Sequence, residues 1–309
     1  MEMADTVKLM GERGMATGMK ITFVILHYLN FEETKACVDS IEALPTYGAD
    51  VTIVIVDNGS GNGSYERFLD LPEKPHVHFL HNERNLGFAN GMNTGYRYAR
   101  EELGASAIAL MNNDLVVKQR DFIEQLEMVA KRGYDVIGPD IVTMKTHTHT
   151  NPQVPEPNYR KSYLKYAAIR AAYAVMPGIY ERVRGASTTA GDARWDASAE
   201  LSKHEHEQVQ LHGACLIFAN RFVREETEAL DGRTFLYHEE DLLFQYCMRK
   251  QYRILYTPKL KVTHAGGVST GTAAGNERAK KRAILRHHMH SLRYVLEAEK
   301  KYGRYYPKC

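Results

Sequence analysis

Short apolar runs alternate with helix-like segments along the first half of the chain. Each run has the length of a strand, and the runs are Ile21–Leu26, Val51–Val56, Val77–Leu80, Ala107–Met111 and Asp135–Gly138. Strands that are almost continuously apolar and separated by helices are typical of a parallel sheet with helices on both faces. The pattern therefore predicts an α/β fold with a mostly parallel central sheet flanked by helices.

After these runs, the alternation of strand-like and helix-like segments is interrupted. A proline-rich stretch leads into a basic, helix-like segment over Tyr159–Tyr180 and a turn-rich run over Gly185–Asp196. Strand-like and helix-like runs resume at Val209, and a last basic helix is predicted over Glu277–Lys301. We therefore divide the chain into five segments. Residues 1–18 form an N-terminal extension that we expect to be disordered, and residues 19–145 form the first half. Residues 146–205 are a partly helical basic insertion, residues 206–276 are the second half, and residues 277–309 are a basic C-terminal helix.

Composition excludes several classes of protein. The 309 residues are 44% hydrophobic and 25% charged, which is ordinary for a globular chain and wrong for a disordered one. The net charge is only +2, from 40 basic and 38 acidic residues, so we expect no nucleic-acid partner. The longest apolar runs are far shorter than the roughly 20 residues that a membrane-spanning helix needs.

The chain start and the cysteines predict a cytoplasmic protein. Residues 1–5 carry neither the basic nor the apolar region of a secretory signal, so we expect no export. The four cysteines are widely scattered and form no C-x-x-C pair. Neither a disulfide framework nor a zinc knuckle is indicated, and a reducing compartment suits these residues.

Polar residues follow the predicted strands, where ligands bind in sheets of this kind. Asp57 follows the second strand; its carboxylate could accept hydrogen bonds from a nucleobase or a ribose, or it could simply close a turn. Asp114 follows the fourth strand and could ligate a hard divalent cation, or it could cap a helix predicted over Val116–Lys131. No G-x-G-x-x-G turn follows the first strand, which disfavours an NAD-dependent oxidoreductase.

Further candidate residues lie in the second half. Glu239, Glu240 and Asp241 are three adjacent carboxylates before an apolar helical run; one of them could be a general base, or all could merely favour the helix dipole. His264 opens a loop rich in glycine and hydroxyl residues that could bind phosphate. We interpret the remaining grouped histidines as surface residues, namely His147, His149, His204, His206, His287, His288 and His290.

The order of these motifs carries more information than any one of them. They are Tyr28-x-Asn30, Val56-Asp57-Asn58-Gly59-Ser60, Asn82-x-x-Asn85-x-Gly87-Phe88-Ala89, Asn112-Asn113-Asp114, Gly213-Ala214-Cys215, Glu240-Asp241 and His264-x-x-Gly267-x-Ser269. Together they resemble the family-2 inverting glycosyltransferases, and within them the bacterial branch of rhamnosyl- and galactofuranosyltransferases. The resemblance covers Lys20–Thr272 apart from the segment Lys145–Lys203.

The resemblance implies a GT-A fold, with a donor-binding first half and an acceptor-binding second half. It implies that Asp241 is the catalytic base and that Asp114, with His264, ligates Mg²⁺ or Mn²⁺. It assigns donor binding to Tyr28, Asn30, Asp57, Asn85, Asn112 and Asn113. It assigns the acceptor site or the phosphate loop to Gly213, Glu240, Gly267 and Ser269. The sequence departs from many relatives at Asn112, where they carry an acid.

The implied activity is an inverting, metal-dependent hexosyl transfer in the synthesis of a bacterial cell-surface polysaccharide. The branch favours dTDP-rhamnose as donor and a UDP-sugar next, with a glycan or a polyprenyl-linked glycan as acceptor. The basic segments could hold the protein on the inner face of the membrane as a peripheral protein; a solvated face or a homodimer contact explains them equally well.

Two rival functions remain for comparison. One is a degenerate, sugar-nucleotide-binding scaffold, against which the presence of Asp241 argues. The other is a nucleotidyltransferase, which would need a glycine-rich and basic loop after the first strand, where this chain has His27-Tyr28-Leu29-Asn30.

Overall fold

A computed structural model describes residues 18–144, 146–175, 200–264 and 277–305. The predicted N-terminal extension, apart from Gly18, and the predicted site residues Gly267 and Ser269 lie outside these ranges.

Nine strands in the described residues form one mixed sheet in the order β3-β2-β1-β4-β8-β6-β9-β5, with β7 paired to β9. Their bounds are β1 Lys20–His27, β2 Asp50–Asp57, β3 Val77–His81, β4 Ala107–Asn112, β5 Leu115–Val116, β6 Val136–Thr143, β7 His206–Glu207, β8 Cys215–Ala219 and β9 Ile254–His264. The pairings β1–β2, β1–β4, β2–β3 and β6–β9 are parallel, and the pairings β4–β8, β6–β8, β5–β9 and β7–β9 are antiparallel. The predicted α/β class with a mostly parallel sheet is confirmed.

Helices cover both faces of this sheet. Their bounds are α1 Phe31–Glu42, α2 Glu66–Leu69, α3 Phe88–Glu101, α4 Phe122–Ala130, α5 Tyr159–Val175, α6 Asn220–Glu225, α7 Glu239–Lys250 and α8 Glu277–Tyr302. Successive residues of β1 enter two different apolar clusters, with Phe23 and Ile25 in one and Val24 in the other. Because side chains alternate across a strand and both faces are covered, the strand reads as a continuous apolar run.

The region after β4 differs from the prediction in a way that shapes the site. The helix expected over Val116–Lys131 begins only at Phe122, because residues 115–116 form β5 and pair antiparallel with β9. Strand β9 runs from Ile254 to His264. In the register of this pair, Leu115 lies opposite His264. Asp114 therefore does not cap a helix; it lies in the turn between β4 and β5.

The predicted insertion is built into the fold rather than appended to it. Bridges join His149 to Val142 and Gln153 to Gln210, and α5 packs along α8. Tyr159 at the start of α5 shares a small apolar cluster with Leu242, Leu292 and Val295. The helix predicted over Tyr159–Tyr180 is described as far as Val175. None of the helices in the described ranges combines the length and the apolar character needed to cross a bilayer.

Candidate functional site

Asp114 and His264, predicted as metal ligands from distant parts of the sequence, are in direct contact. The His264 Nε2 atom lies 3.0 Å from Asp114 Oδ2, and both side chains are largely buried. The pairing of β5 with β9 produces this contact, since it sets the two residues side by side at the end of the sheet.

Two buried oxygen atoms belong to residues close to this pair: Asn112, two residues before Asp114, and Glu33, which interacts electrostatically with Asp114 and His264. Asn112 Oδ1 and Glu33 Oε2 are buried and accept no hydrogen bond within the described residues. Burial raises the pKa of Glu33, and the negative charge of Asp114 raises it further. Buried polar atoms of native proteins usually have partners, so these two oxygens mark a place where a ligand would complete the structure.

The donor atoms around Asp114 suit a hard cation that keeps part of its shell for other ligands. Among the described residues, no group of three or more His, Cys, Asp or Glu side chains could hold a metal ion by itself. A carboxylate, an imidazole and neighbouring amide oxygens nevertheless match the ligand preferences of Mg²⁺ or Mn²⁺. These ions keep several bound waters and also coordinate substrate phosphates. The site residues therefore fit a divalent ion whose remaining ligands come from outside the protein.

Asp57 lies at the end of β2 and is fully buried. Its carboxylate accepts hydrogen bonds from the Ser60 backbone N–H, at 3.2 Å, and from His81 Nδ1, at 2.8 Å. Tyr65 stacks on the His81 ring with centroids 4.9 Å apart. The turn-closing role considered for Asp57 is present in the structure, and its contact with a nucleobase stays a prediction.

Other predicted donor-site residues also form hydrogen bonds that stabilise the loops in which they lie. Asn30 caps α1 by accepting from the Glu33 N–H at 3.3 Å, and its own N–H donates to the carbonyl of Tyr28. Asn85 Oδ1 accepts from the Gly87 N–H at 2.8 Å. Asn113 donates to Thr34 Oγ1 at 3.0 Å. These residues surround the carboxyl ends of β1, β2 and β4, and their contact with a donor stays a prediction.

Asp241, the predicted base, is 5% exposed and its carboxylate is enclosed by donors. Oδ1 accepts from Tyr159 Oη at 2.6 Å and from Gln210 Nε2 at 3.1 Å, and Oδ2 lies 2.7 Å from His238 Nδ1. Sequence reasoning missed Tyr159 and Gln210 as partners because they lie 82 and 31 residues away from Asp241.

Glu240 precedes Asp241 and has different surroundings. Its Oε2 atom lies 3.6 Å from the point where a Cβ on Gly213 would stand, which is an ordinary contact distance. Burial raises the pKa of Glu240, the neighbouring Asp241 raises it further, and a hydrogen bond from Gln153 opposes them. Glu239 on the same turn is buried, and burial raises its pKa to about 8.

The segment 212–214 connects the two groups of candidates. The Ala214 carbonyl accepts from the Asn112 N–H at 2.9 Å, and His212 Nδ1 accepts from the Ala214 N–H at 3.0 Å. The His212 ring lies 6.5 Å from the ring of His264. Burial lowers the pKa of His212 to about 4, and His264 lowers it as well. Sequence reasoning missed His212, although its place beside the Gly213 motif was an available signal.

His288 is not the surface residue that we predicted. Its ring stacks on Tyr166 and on Tyr237, with centroids 4.6 and 4.0 Å away, and its Nδ1 lies 3.2 Å from His238 Nε2. Burial lowers its pKa to about 4, and neighbouring His238 lowers it too. A chain of contacts thus runs from α8 through His238 to Asp241. His287 also departs from the prediction, because it is half-buried against Phe235.

A solved structure shows the same fold. The chain is similar to the mannosyltransferase PcManGT from Pyrobaculum calidifontis, determined in complex with GDP-Man and Mn²⁺, at 13% identity and a TM-score of 0.51, over 94% of this chain and 77% of that one. The mixed α/β sheet with its polar edge is that of a GT-A glycosyltransferase.

The family follows from the sequence. The profile described as Glycosyl transferase family 2 matches residues 22–181, just over half of the chain, and this chain belongs to that family. The match extends into the segment predicted as an insertion. The chain is also 21% identical over 229 residues to the low-salt glycan biosynthesis hexosyltransferase Agl10 of Haloferax volcanii. That alignment covers 74% of this chain and 61% of the relative's length.

Proposed function

We propose that this protein transfers a hexose from a nucleoside-diphosphate sugar to a hydroxyl group of a glycan or lipid-linked glycan, with inversion at the anomeric carbon. The observation that carries the proposal is the contact of Asp114 with His264, close to the segment 212–214, whose Gly213 adjoins a carboxylate of α7. The hexosyltransferase name of one relative and the GDP-Man and Mn²⁺ of the other support it.

Asp114 and His264 are the residues that would hold Mg²⁺ or Mn²⁺. When bound, such an ion neutralises negative charge on the departing diphosphate. Their largely buried position keeps competing water away from that charge, which strengthens every electrostatic contact there. Asp57 is proposed as the contact to the pyrimidine base, with Tyr28, Asn30, Asn85, Asn112 and Asn113 lining the donor site.

A carboxylate at the start of α7 takes the proton of the acceptor hydroxyl in a single displacement, and the resemblance assigns this role to Asp241. Donor preference rests on the same resemblance, which places dTDP-rhamnose first and UDP-sugars next. Gly213 and Glu240 belong to the acceptor side, as do Gly267 and Ser269, which lie outside the described residues.

Thermal stabilisation by nucleotides tests this proposal. A ligand that binds only the folded state stabilises it by about 2.7 kcal/mol at a concentration of 100 times Kd. We expect dTDP or UDP to raise Tm when Mn²⁺ or Mg²⁺ is present, and Asp114→Asn to lose the metal-dependent part of that rise. Asp70→Asn, at an exposed carboxylate, is the matched control.

Absence of any nucleotide effect on folded protein would overturn the donor site. Binding without transfer or donor hydrolysis, over a panel of sugar nucleotides and acceptors, would instead favour the catalytically degenerate scaffold.

The exposed face of α5 supports a second proposal, peripheral binding to an anionic membrane. This helix carries four basic residues and no acidic one. Leu164 and Val175 are 59% and 74% exposed, while the tyrosines of the opposite face pack toward α8. Basic side chains around exposed apolar ones attract anionic lipid, and each contributes about 1 kcal/mol near the surface.

Sedimentation with vesicles tests the membrane proposal. We expect binding to vesicles that contain phosphatidylserine and none to phosphatidylcholine alone. Lys161→Glu with Lys165→Glu should abolish the binding, whereas Lys118→Glu with Arg120→Glu, at exposed positions outside α5 and α8, should change it much less. Equal sedimentation with both kinds of vesicle would contradict it.

A further inference from the structure

A cavity of about 580 Å³ lies between the loop at residues 226–233, helix α7 and the end of α8. Its volume is within the range of about 300–1,000 Å³ that is usual for small-molecule sites. None of the described candidate residues of the donor, metal and acceptor sites lines it. The cavity is therefore a place where a second ligand could bind without entering those sites.

The loop that forms one wall of the cavity is held in place by helix α3. The carbonyl of Leu230 accepts a hydrogen bond from Asn93 Nδ2, and the carbonyl of Gly232 accepts one from Asn90 Nδ2, both at 2.8 Å. The N–H of Leu230 in turn donates to Asn93 Oδ1 at 3.0 Å. These bonds fix the loop before any ligand arrives, and a preformed site loses less entropy on binding.

The negative charge of the cavity wall is already compensated. Four carboxylates line the cavity, and each of them pairs with a cation of the protein. The pairs are Glu226 with Lys250, Glu228 with Arg97, and Asp231 and Glu297 with Arg233. The charge that is left over for a ligand therefore comes from the remaining cations of the wall.

Those cations are Arg249 and Lys301. The Arg249 guanidinium lies over the rings of Tyr246 and Tyr302, with its Cζ atom 5.1 and 4.1 Å from their centroids. It forms no ion pair and no hydrogen bond with the described part of the chain. Lys301 Nζ lies 4.9 Å from the Tyr302 centroid and pairs with no carboxylate among the same residues. Stacking on aromatic rings uses the faces of a guanidinium and leaves its N–H groups for an acceptor.

The chemistry of the wall defines the class of ligand. A planar guanidinium matches the paired oxygens of a carboxylate or a phosphate group. The carboxylates of the wall keep further lone pairs, which accept hydrogen bonds from hydroxyl groups. The cavity is also much larger than a single anion. A hydroxylated ring that carries an anionic group satisfies all of these features.

We propose that this cavity binds a sugar that carries a phosphate or a carboxylate group, with Arg249 and Lys301 on either side of the anion. The ligand occupies a second site, separate from the donor and acceptor sites of the proposed transferase. Bound there, it would also hold together α7, α8 and the loop that contacts α3.

Calorimetry with two anionic sugars tests the proposal. The probes are glucose 6-phosphate and glucuronate, with glucose as the neutral control, in the absence of divalent ions. We expect at least one anionic sugar to bind at a single site, and glucose to bind about 10- to 100-fold more weakly, as the usual strength of hydrogen bonds to charged groups predicts. The probe that binds more tightly identifies the anionic group.

Two variants assign this binding to the cavity. In Arg249→Gln we expect the affinity for the anionic sugar to fall by about 10- to 100-fold. Arg120→Gln, at an exposed arginine outside the cavity, is the matched control and should keep the parent affinity. Binding of dTDP or UDP with Mn²⁺ should be the same in both variants as in the parent protein.

The proposal is overturned if neither anionic sugar binds more tightly than glucose, or if Arg249→Gln binds as tightly as the parent protein. Displacement of the sugar by dTDP or UDP would locate it in the donor site and overturn the proposal as well. If Arg249→Gln does not fold, Lys301→Gln decides, because Lys301 is exposed and its neighbour Lys300 provides the control Lys300→Gln. An affinity about tenfold lower in Lys301→Gln alone supports the proposal, and equal affinities overturn it.

Discussion

Asp57 is a residue whose local role and proposed ligand role compete for the same atoms. Its buried carboxylate already accepts from the Ser60 N–H and from His81. His27 lies nearby, with its Nε2 3.9 Å from Asp57 Oδ1, and burial lowers its pKa to about 4. A nucleobase would therefore have to share Asp57 with its own turn, and a change at this position should affect both stability and binding.

We expect Asp57→Asn to lower the free energy of unfolding by about 1–3 kcal/mol, because the amide group turns one acceptor into a donor that faces the Ser60 N–H and His81 Nδ1. Urea denaturation measures this effect. Affinity for UDP or dTDP should fall in the same variant, as measured by calorimetry. Asp70→Asn, at an exposed carboxylate, should stay within roughly 0.5 kcal/mol of the parent protein. An unchanged unfolding free energy in Asp57→Asn would contradict the structural role.

Helix α3 shows how an element can depend on residues that lack side chains. A Cβ on Gly95 would lie 2.3 Å from Val24 Cγ1 and 2.8 Å from Val56 Cγ2, and one on Gly91 would lie 2.7 Å from Leu26 Cδ1. The helix thus rests directly on β1 and β2. Glycine inside a helix costs about 0.5–1 kcal/mol relative to alanine, so close packing has to compensate for it here.

Comparing these effects predicts whether Gly95→Ala raises or lowers the free energy of unfolding. Alanine favours the helix by up to about 1 kcal/mol, but the overpacking that it causes costs about 1–3 kcal/mol. The clashing methyl groups belong to valines, which are stiff at χ1 and cannot move aside easily. We expect a net loss of unfolding free energy in urea denaturation. Gly61→Ala, where nothing lies within 4 Å of the new methyl group, is the control; a more stable Gly95→Ala would refute the argument.

Elements with strong local signals could be predicted from the sequence. The strands β1, β2 and β4 contain long apolar runs and β3 a short one, and α7 and α8 show helical periodicity, so their positions agree with the structure. Strand β5 has only two residues, and the end of β9 alternates basic and apolar residues, so neither carries a clear signal. Both exist because they pair with each other, which is a tertiary effect.

The candidate site likewise combines residues that the sequence identifies with contacts that only packing produces. Asp114 and His264 were each recognisable beside a strand or a loop, yet their contact spans 150 residues and depends on the register of β5 and β9. Tyr159, one of the partners of Asp241, comes from a segment that the sequence marked only as basic and helical. Local composition predicts which residues are capable of chemistry, and packing decides which of them meet.

At the scale of the whole molecule, the buried histidines and a buried glutamate change the stability of the fold with pH in opposite directions. Burial lowers the pKa of His27, His212 and His288 to about 4. The unfolded chain binds protons at these histidines from about pH 6.5 downward, so their contribution to stability is present above that pH and is lost as pH falls toward 4. Glu239 acts in the opposite sense, because burial raises its pKa to about 8.

The substitution Glu239→Gln removes the titrating carboxyl group and so isolates the contribution of Glu239 to the pH dependence of stability. Above about pH 4.5 the unfolded chain releases the Glu239 proton while the folded protein retains it, so its contribution to stability declines as pH rises and stops changing above about pH 8. One unit of pKa shift corresponds to about 1.4 kcal/mol, and relaxation around the charge reduces the full amount. We therefore expect the variant to gain about 2 kcal/mol over the parent protein between pH 5 and pH 8.5 in urea denaturation. Parallel stability profiles for the two proteins would show that Glu239 is ionised in the folded state, and with it that the first turn of α7 is open enough to hydrate a second carboxylate beside Glu240.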